Sequence, residues 1–329
     1  MDPSITEYLS ELEVGELQTF KNMGIAPLFP ASNGGPAYIL LKRALDEELI
    51  TITEVGQSGS VPELKVVNTS PLLILLLDGE ELMGAKQNRV LNTSILLSGN
   101  SETVIPVSCT EQGRWRYSST QFSHSDVIMF QRARASKSSS VTGSLHARRG
   151  YSSDQRRVWE DISQFQQKAG TSSPTHAMQD VYTDKAEELN EYVQAFECLP
   201  LQRGSLVFIN GEPAGFDVIS REGAYAELHQ KLIKSYAVDT LLQRKEQFDE
   251  PSVAKAEVFL KEARDCEESR FDSIGQGFDY RFKGAKIVGS ALVFEKSIIH
   301  LAFFRLDKDE IDDHMSRYSQ RRDFRSSRR

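Results

Sequence analysis

Between residues 49 and 108 five β-prone runs follow one another, at 49–55, 63–68, 72–77, 88–97 and 103–108, parted only by Gly, Ser, Pro and Asn turns. Such connections are too short to carry the helix that parallel neighbours need, so this stretch is bound to antiparallel pairing. More strands are predicted near the other end: a pair across 205–220, then a meander over 269–304. The meander's runs FDSIGQGFDYRF, AKIVGSALVFE and SIIHLAFF are parted by Lys283-Gly284 and Lys296. Helices are expected at 4–12, where Ser4 and Glu7 make the Ser-x-x-Glu pattern of a capping box, and at 36–48, opened by Pro36. Further helical stretches cover 153–168, 184–196, 222–245 and 252–265. The class is therefore α+β, with antiparallel strands from both ends of the chain building the sheet and the central helices packed on one face.

The chain divides into an N-terminal helix within 1–14, a single α+β domain over 15–306 and a basic, flexible tail over 307–329. Apolar periodicity weakens between Trp115 and Gly150, and ASKSSSVTGS has the composition of a linker, so a flexible loop is expected near 118–150. Two strings echo each other, LLILLLDGEELMGA and GSLVFINGEPAGFD; each carries an Asp or Asn before Gly-Glu, consistent either with equivalent hairpins or with chance recurrence of a common turn.

With 39% apolar and 26% charged residues, the 329-residue chain has the composition of a globular protein. Its longest apolar runs, Leu72–Leu77 and Ile298–Phe304, fall far short of the ~20 residues that cross a bilayer, so no membrane partner is expected. Three scattered cysteines, Cys109, Cys198 and Cys266, disfavour a disulfide framework or a zinc site and fit a reducing cytoplasm. The six histidines show no metal-ligand spacing, and no metal is assigned. A formal charge of -8 argues against general nucleic-acid binding, leaving only the basic tail as a route to it.

The chemistry concentrates in Leu72–Leu97. Glu80 and Glu81 are adjacent on a predicted strand end, so only one of them can enter a pocket. That carboxylate would serve as a general acid-base or a cation ligand; the plainer alternative is a turn carboxylate paired with Lys86. Alternation places Gln87 and Arg89 on one face, Lys86 and Asn88 on the other. Arg89 beside a carboxamide suits phosphate or carboxylate, and a salt bridge to Glu80 or Glu81 is the competing reading. Further on, Glu111, Arg114 and Trp115 put a cation beside a flat aromatic, a pair able to grip a nucleobase and its phosphate unless Trp115 is plain core. Cys109 is a nucleophile only with a base beside it; otherwise it is a buried thiol.

The strings DGEELMGAKQNRVLNTS, IPVSCTEQGRW and SDQRRVW, with the meander ending in HLAFF, resemble a bacterial domain family named for its association with ADP-ribosylglycohydrolases and rhodanese-like phosphatases. The resemblance covers most of residues 15–305. It implies a place near NAD or ADP-ribose metabolism and a shared site of Glu80, Glu81, Lys86, Gln87, Asn88, Arg89, Glu111, Arg114 and Trp115. The expected function is binding or processing of a phosphate-bearing nucleotide derivative. Arg89 and Arg114 would hold phosphate, Trp115 would stack, and Glu81, with Glu80 and Glu111, would supply any catalysis. No cofactor is assigned. The alternative is a non-catalytic oligomeric interaction or assembly protein that uses the same residues for contacts between copies.

Overall fold

The computed structural model describes residues 1–31, 34–56 and 60–307; the basic tail falls outside the described residues. The chain opens with α1 (Pro3–Ser10), capped by Asp2, whose side chain accepts the Ser4 N–H at 2.9 Å; Ser4, expected as the cap, is already inside the helix. β1 (Leu12–Val14), β2 (Gln18–Phe20) and β3 (Met23–Pro30) follow. The helix expected from Pro36 is halved. Residues 38–40 instead form β4 (Tyr38–Leu40), because pairing with the 73–75 run captures their backbone, and only then does α2 (Leu41–Asp46) begin. β5 (Ile50–Glu54), β6 (Glu63–Asn68) and β7 (Leu73–Leu76) lie where alternation placed them. After β8 (Glu80–Gly84), the expected 88–97 strand splits into β9 (Arg89–Leu91) and β10 (Ile95–Leu97). The break falls where Asn92, Thr93 and Ser94 turn their side chains to distant partners.

β11 (Ser101–Cys109) leads to the largest departure from expectation. The segment 118–150 contains β12 (Phe122–Ile128) and α3 (Gln131–His146), not one flexible loop. α3 carries no apolar stripe because it is buried on most of its circumference, with Arg134, Lys137 and Ser138 as deep as Ala133 and Val141. A helix satisfied by interior charges leaves no amphipathic period to read.

α4 (Gln155–Ala169) is capped by Asp154, which accepts the Arg156 and Arg157 amides; α5 (Gln179–Asp184) and α6 (Ala186–Ala195) follow. β13 (Gly204–Ile209) and β14 (Glu212–Ile219) form a hairpin whose Asn210 and Gly211 both have positive φ, +50° and +76°. Its echo at Asp78-Gly79 does not form one, since β7 and β8 belong to different sheets. α7 (Glu222–Leu242) and α8 (Val253–Arg264) precede the meander of β15 (Glu267–Asp272), β16 (Phe278–Lys283), β17 (Ile287–Phe294) and β18 (Ser297–Arg305). The run expected as its first strand is folded in two at Gly277, where φ is +84° and a Cβ would sit 2.1 Å from the Val293 carbonyl.

Strands from both ends of the chain build a nine-stranded antiparallel sheet, ordered β1-β3-β13-β14-β18-β17-β16-β15 with β2 on β3. α3 and α7 cover one face, as expected of the central helices; α1 and α8 cover the other, burying Phe216, Phe259, Phe282 and Phe303 between them and the sheet. The middle strands form a second body. A six-stranded sheet, β12-β8-β9-β11-β6-β5, curls until its edge strands β12 and β5 approach each other, and the small sheet β10-β7-β4 packs against its hollow. The pairings among the 49–108 strands are antiparallel as expected; β4, outside that stretch, pairs parallel with β7, with α2 and two further strands in the connection. Ile52, Leu64, Leu82, Leu91, Ile105 and Phe122 fill this incomplete barrel, each contributing roughly 1.5–3 kcal/mol by burial.

Candidate functional site

The polar strings 78–89 and 109–115 are expected to converge at the rim of the sheet; at one mouth of the barrel residues 84–89 and 109–118 meet, while 78–81 lies elsewhere. Arg114 sews them together: its guanidinium donates to the carbonyls of Ala85 (2.7 Å) and Arg116 (3.2 Å), to Asn88 Oδ1 (3.1 Å) and to Ser118 Oγ (2.9 Å). Glu111 closes the knot, pairing with Arg114 at 2.6 Å and accepting the Asn88 N–H at 3.2 Å. Burial opposes the Glu111 charge, but bonds from Arg114, Thr175 and the Asn88 amide hold its carboxyl below the usual range. Arg114, Asn88 and Glu111 are thus consumed in holding the loop.

Arg89 is different. Its side chain is fully buried, and its hydrogen bonds run from Nη1 alone, to the Gln87 carbonyl (3.1 Å), Gln87 Oε1 (3.3 Å) and the Asn88 carbonyl (3.4 Å). Nε and Nη2 have no hydrogen-bond partner, and the carboxylate facing them is Glu54, neither Glu80 nor Glu81. The Arg89 Nη2–Glu54 Oε1 separation is 3.7 Å, too long for a hydrogen bond, and Glu54 Oε2 is equally unpartnered. Above Arg89 lies the Trp115 ring, 5.8 Å from the guanidinium carbon; Lys86 Nζ stands 5.2 Å from the Trp115 and Tyr117 centroids alike. Trp115 is 50% exposed and Tyr117 52%, so two aromatic faces and a lysine crown the mouth. Lys86 escapes the strict alternation expected of it because 85–88 is a turn, opened by Ala85 at φ +40°, and β9 starts only at Arg89.

The expected catalytic carboxylates do not join this rim. In the β8–β9 register Glu81 lies opposite Val90 and Leu82 opposite Arg89, so Glu81 projects from the other face of the sheet. There it is fully buried, accepts a bond from Thr110 Oγ1 at 2.7 Å, and leaves Oε2 unpartnered. Burial pushes its carboxyl up to about 7, against the pull of Thr110 and Ser125. Glu80 is tied inward, to Lys231 at 3.3 Å and the Leu77 amide at 3.0 Å. Cys109 shares the Arg89 face, but burial raises its thiol to about 11, which keeps it protonated at neutral pH. Among the described residues no cluster of His, Cys, Asp or Glu is placed to hold a metal.

A second polar assembly escaped the sequence reading. Between α3 and the large sheet, Arg134 grips Asp217 through two bonds of 2.6 and 3.0 Å, and Lys137 bonds Asp78 and the Leu91 carbonyl. Ser94, His300 and Asp217 stand in the order of a hydrolytic triad, Oγ–Nδ1 at 2.8 Å and Nε2–Oδ1 at 3.2 Å. All three are sealed from solvent, and Ser94 Oγ already accepts the Asp78 N–H, so the arrangement holds the two bodies together. Burial favours neutral Asp217, yet Arg134 and His300 overcome it and hold its carboxyl well below the carboxylate range. Burial draws the Lys137 ammonium down despite Asp78. The available sequence signals were faint: a histidine interrupting Ile298–Phe304 and two cations in a helix without a stripe.

The model of one family, the ARG and Rhodanese-Phosphatase-superfamily-associated Protein domain, matches residues 11–304. The chain belongs to that family. The match spans the barrel, the large sheet and every residue of the mouth, as the resemblance of the polar strings predicted. No curated protein and no solved structure matches the chain. The family's name ties it loosely to the setting of ADP-ribose-related proteins. Among the described residues no helix is long and apolar enough to cross a membrane.

Proposed function

We propose that the barrel mouth binds a phosphate-bearing nucleotide derivative of NAD or ADP-ribose metabolism. The observation that carries this reading is Arg89, a buried guanidinium with two unpartnered N–H-bearing nitrogens beneath a half-exposed tryptophan. An unsatisfied buried cation costs stability, so its retention fits a site whose partner arrives from outside. Trp115 and Tyr117 offer flat faces to a base, and Lys86 offers a charge to phosphate. Gln87 aims Arg89; Arg114, Asn88 and Glu111 hold the loop. Glu80 and Glu81 point away from the mouth, so the reading is of binding and assigns them no chemical step. ADP-ribose and NAD should raise the unfolding temperature and quench Trp115 emission. If neither ligand does so at millimolar concentration, the proposal fails.

A further inference from the structure

We infer that the group received by Arg89 and Glu54 is a pair of neighbouring sugar hydroxyls, with phosphate left to Lys86 at the rim; this deepens the nucleotide-binding reading and rests on it. Three unpartnered buried atoms belong to these two neighbouring side chains: the acceptor Glu54 Oε2 and the donors Arg89 Nε and Nη2. The side chains that carry them are almost wholly enclosed, 3% and 0% exposed. A phosphate oxygen would satisfy the arginine but would face the Glu54 carboxylate without a proton to offer it. A hydroxyl both donates and accepts. One hydroxyl donating to Glu54 Oε2 and accepting from Nη2 would join two side chains that do not bond each other directly, Nη2 standing 3.7 Å from Oε1. A second, adjacent hydroxyl can accept from Nε.

The surroundings fit the same ligand. Glu54 Oε1, which stands 3.7 Å from the arginine, is occupied by the Lys86 amide at 3.4 Å, which leaves Oε2 as the open acceptor. Cys109, beneath Arg89, is a neutral thiol and does not compete for the guanidinium. The Trp115 ring lies over Arg89, its centroid 5.8 Å from the guanidinium carbon, and Arg114 holds the Ala85 and Arg116 carbonyls beside it, so entry of a ligand requires the indole to swing aside. A ribose placed there carries its base or its second phosphate outward, past Lys86 and Tyr117.

The test displaces bound ADP-ribose from the full chain with ribose 5-phosphate, 2-deoxyribose 5-phosphate and orthophosphate, followed through Trp115 emission. Ribose 5-phosphate should compete best, and the 2-deoxy sugar about ten- to hundredfold less well, because it leaves buried polar atoms unpaired. Glu54→Gln should erase that preference while orthophosphate binding stays unchanged; the wild-type comparison stands even if the variant folds poorly. Equal binding of the two sugars, as when a water alone bridges Glu54 and Arg89, overturns the inference and leaves nucleotide binding intact. Loss of every nucleotide and sugar phosphate response overturns both.

Discussion

Among the described residues two arginines, Arg89 and Arg134, have no exposed surface, and they are held differently. Arg134, in the interior assembly, is bound through both terminal nitrogens by Asp217 at 2.6 and 3.0 Å, with Tyr236 donating to the same carboxylate at 3.0 Å. Arg89, at the barrel mouth, faces a carboxylate it does not reach. A buried ion pair costs desolvation that only good geometry offsets; Asp217 supplies that geometry to both terminal nitrogens of Arg134, whose Nε alone is left without a hydrogen bond, 3.7 Å from Asp78, whereas Arg89 has no carboxylate within hydrogen-bond reach of either Nε or Nη2. Burial and charge are common to both sites; what separates them is the two-pronged carboxylate that Arg134 has and Arg89 lacks.

The largest expected effect lies in the interior. Asp217→Ala strands Arg134 and should cost about 3–5 kcal/mol in urea unfolding; a loss under 1 kcal/mol would mean that the interior pair is not what joins the two bodies. Because the Asp217 carboxyl is depressed in the folded state, its contribution is fully present above the ordinary carboxylate range and is lost as pH falls toward its folded value.

Glu81 has the reverse sign. Its carboxyl is raised to about 7, so the folded protein holds a proton that the unfolded chain releases near pH 4.5. The stabilisation is full below that unfolded value and is lost as pH rises through 7. Glu81→Gln should therefore gain roughly 3 kcal/mol over wild type at pH 8 and little at pH 4.5, as read by denaturant midpoints. No pH dependence in the difference would place Glu81 in a wetter setting than its burial indicates.

The same substitution at each arginine sharpens the contrast. Arg134→Lys loses the two-pronged grip on Asp217 and should cost about 2 kcal/mol, whereas Arg89→Lys gives up only long bonds and should cost about 1 kcal/mol or less. Binding should respond the other way round, with ADP-ribose affinity lost at Arg89 and kept at Arg134. The smallest effect on stability is expected at Trp115→Ala, within about 0.5 kcal/mol because the ring is half exposed, together with loss of the ligand-induced change in emission. A large stability loss there would return Trp115 to the core.

What the sequence disclosed follows from how each element is stabilised. β5, β6 and β13 bury alternate residues or whole runs and were legible as strands. Of the expected link from 78–89 to 109–115, the part from 84 onward was legible because both strings are polar and end strands, whereas Glu80 and Glu81 are drawn to other partners. α3 was hidden because tertiary charges, with no apolar stripe of its own, keep it inside. Glu54 was hidden for another reason: it is one acid at the end of an ordinary strand, and only the curl of the barrel brings it to Arg89. Pairing across a closed sheet leaves no local trace.

The position of β18 also sets a timetable. The last strand of the meander lies between β14 and β17, and no other strand can occupy that place. During synthesis the hairpin β13–β14 therefore waits with an open edge while more than seventy residues, from 220 to 296, are added. The barrel, drawn from 38–128, can close long before. A ribosome-bound chain should accordingly protect barrel amides early and those of β14 only once residue 305 has emerged, which makes the large sheet the part that depends on chaperones or on speed.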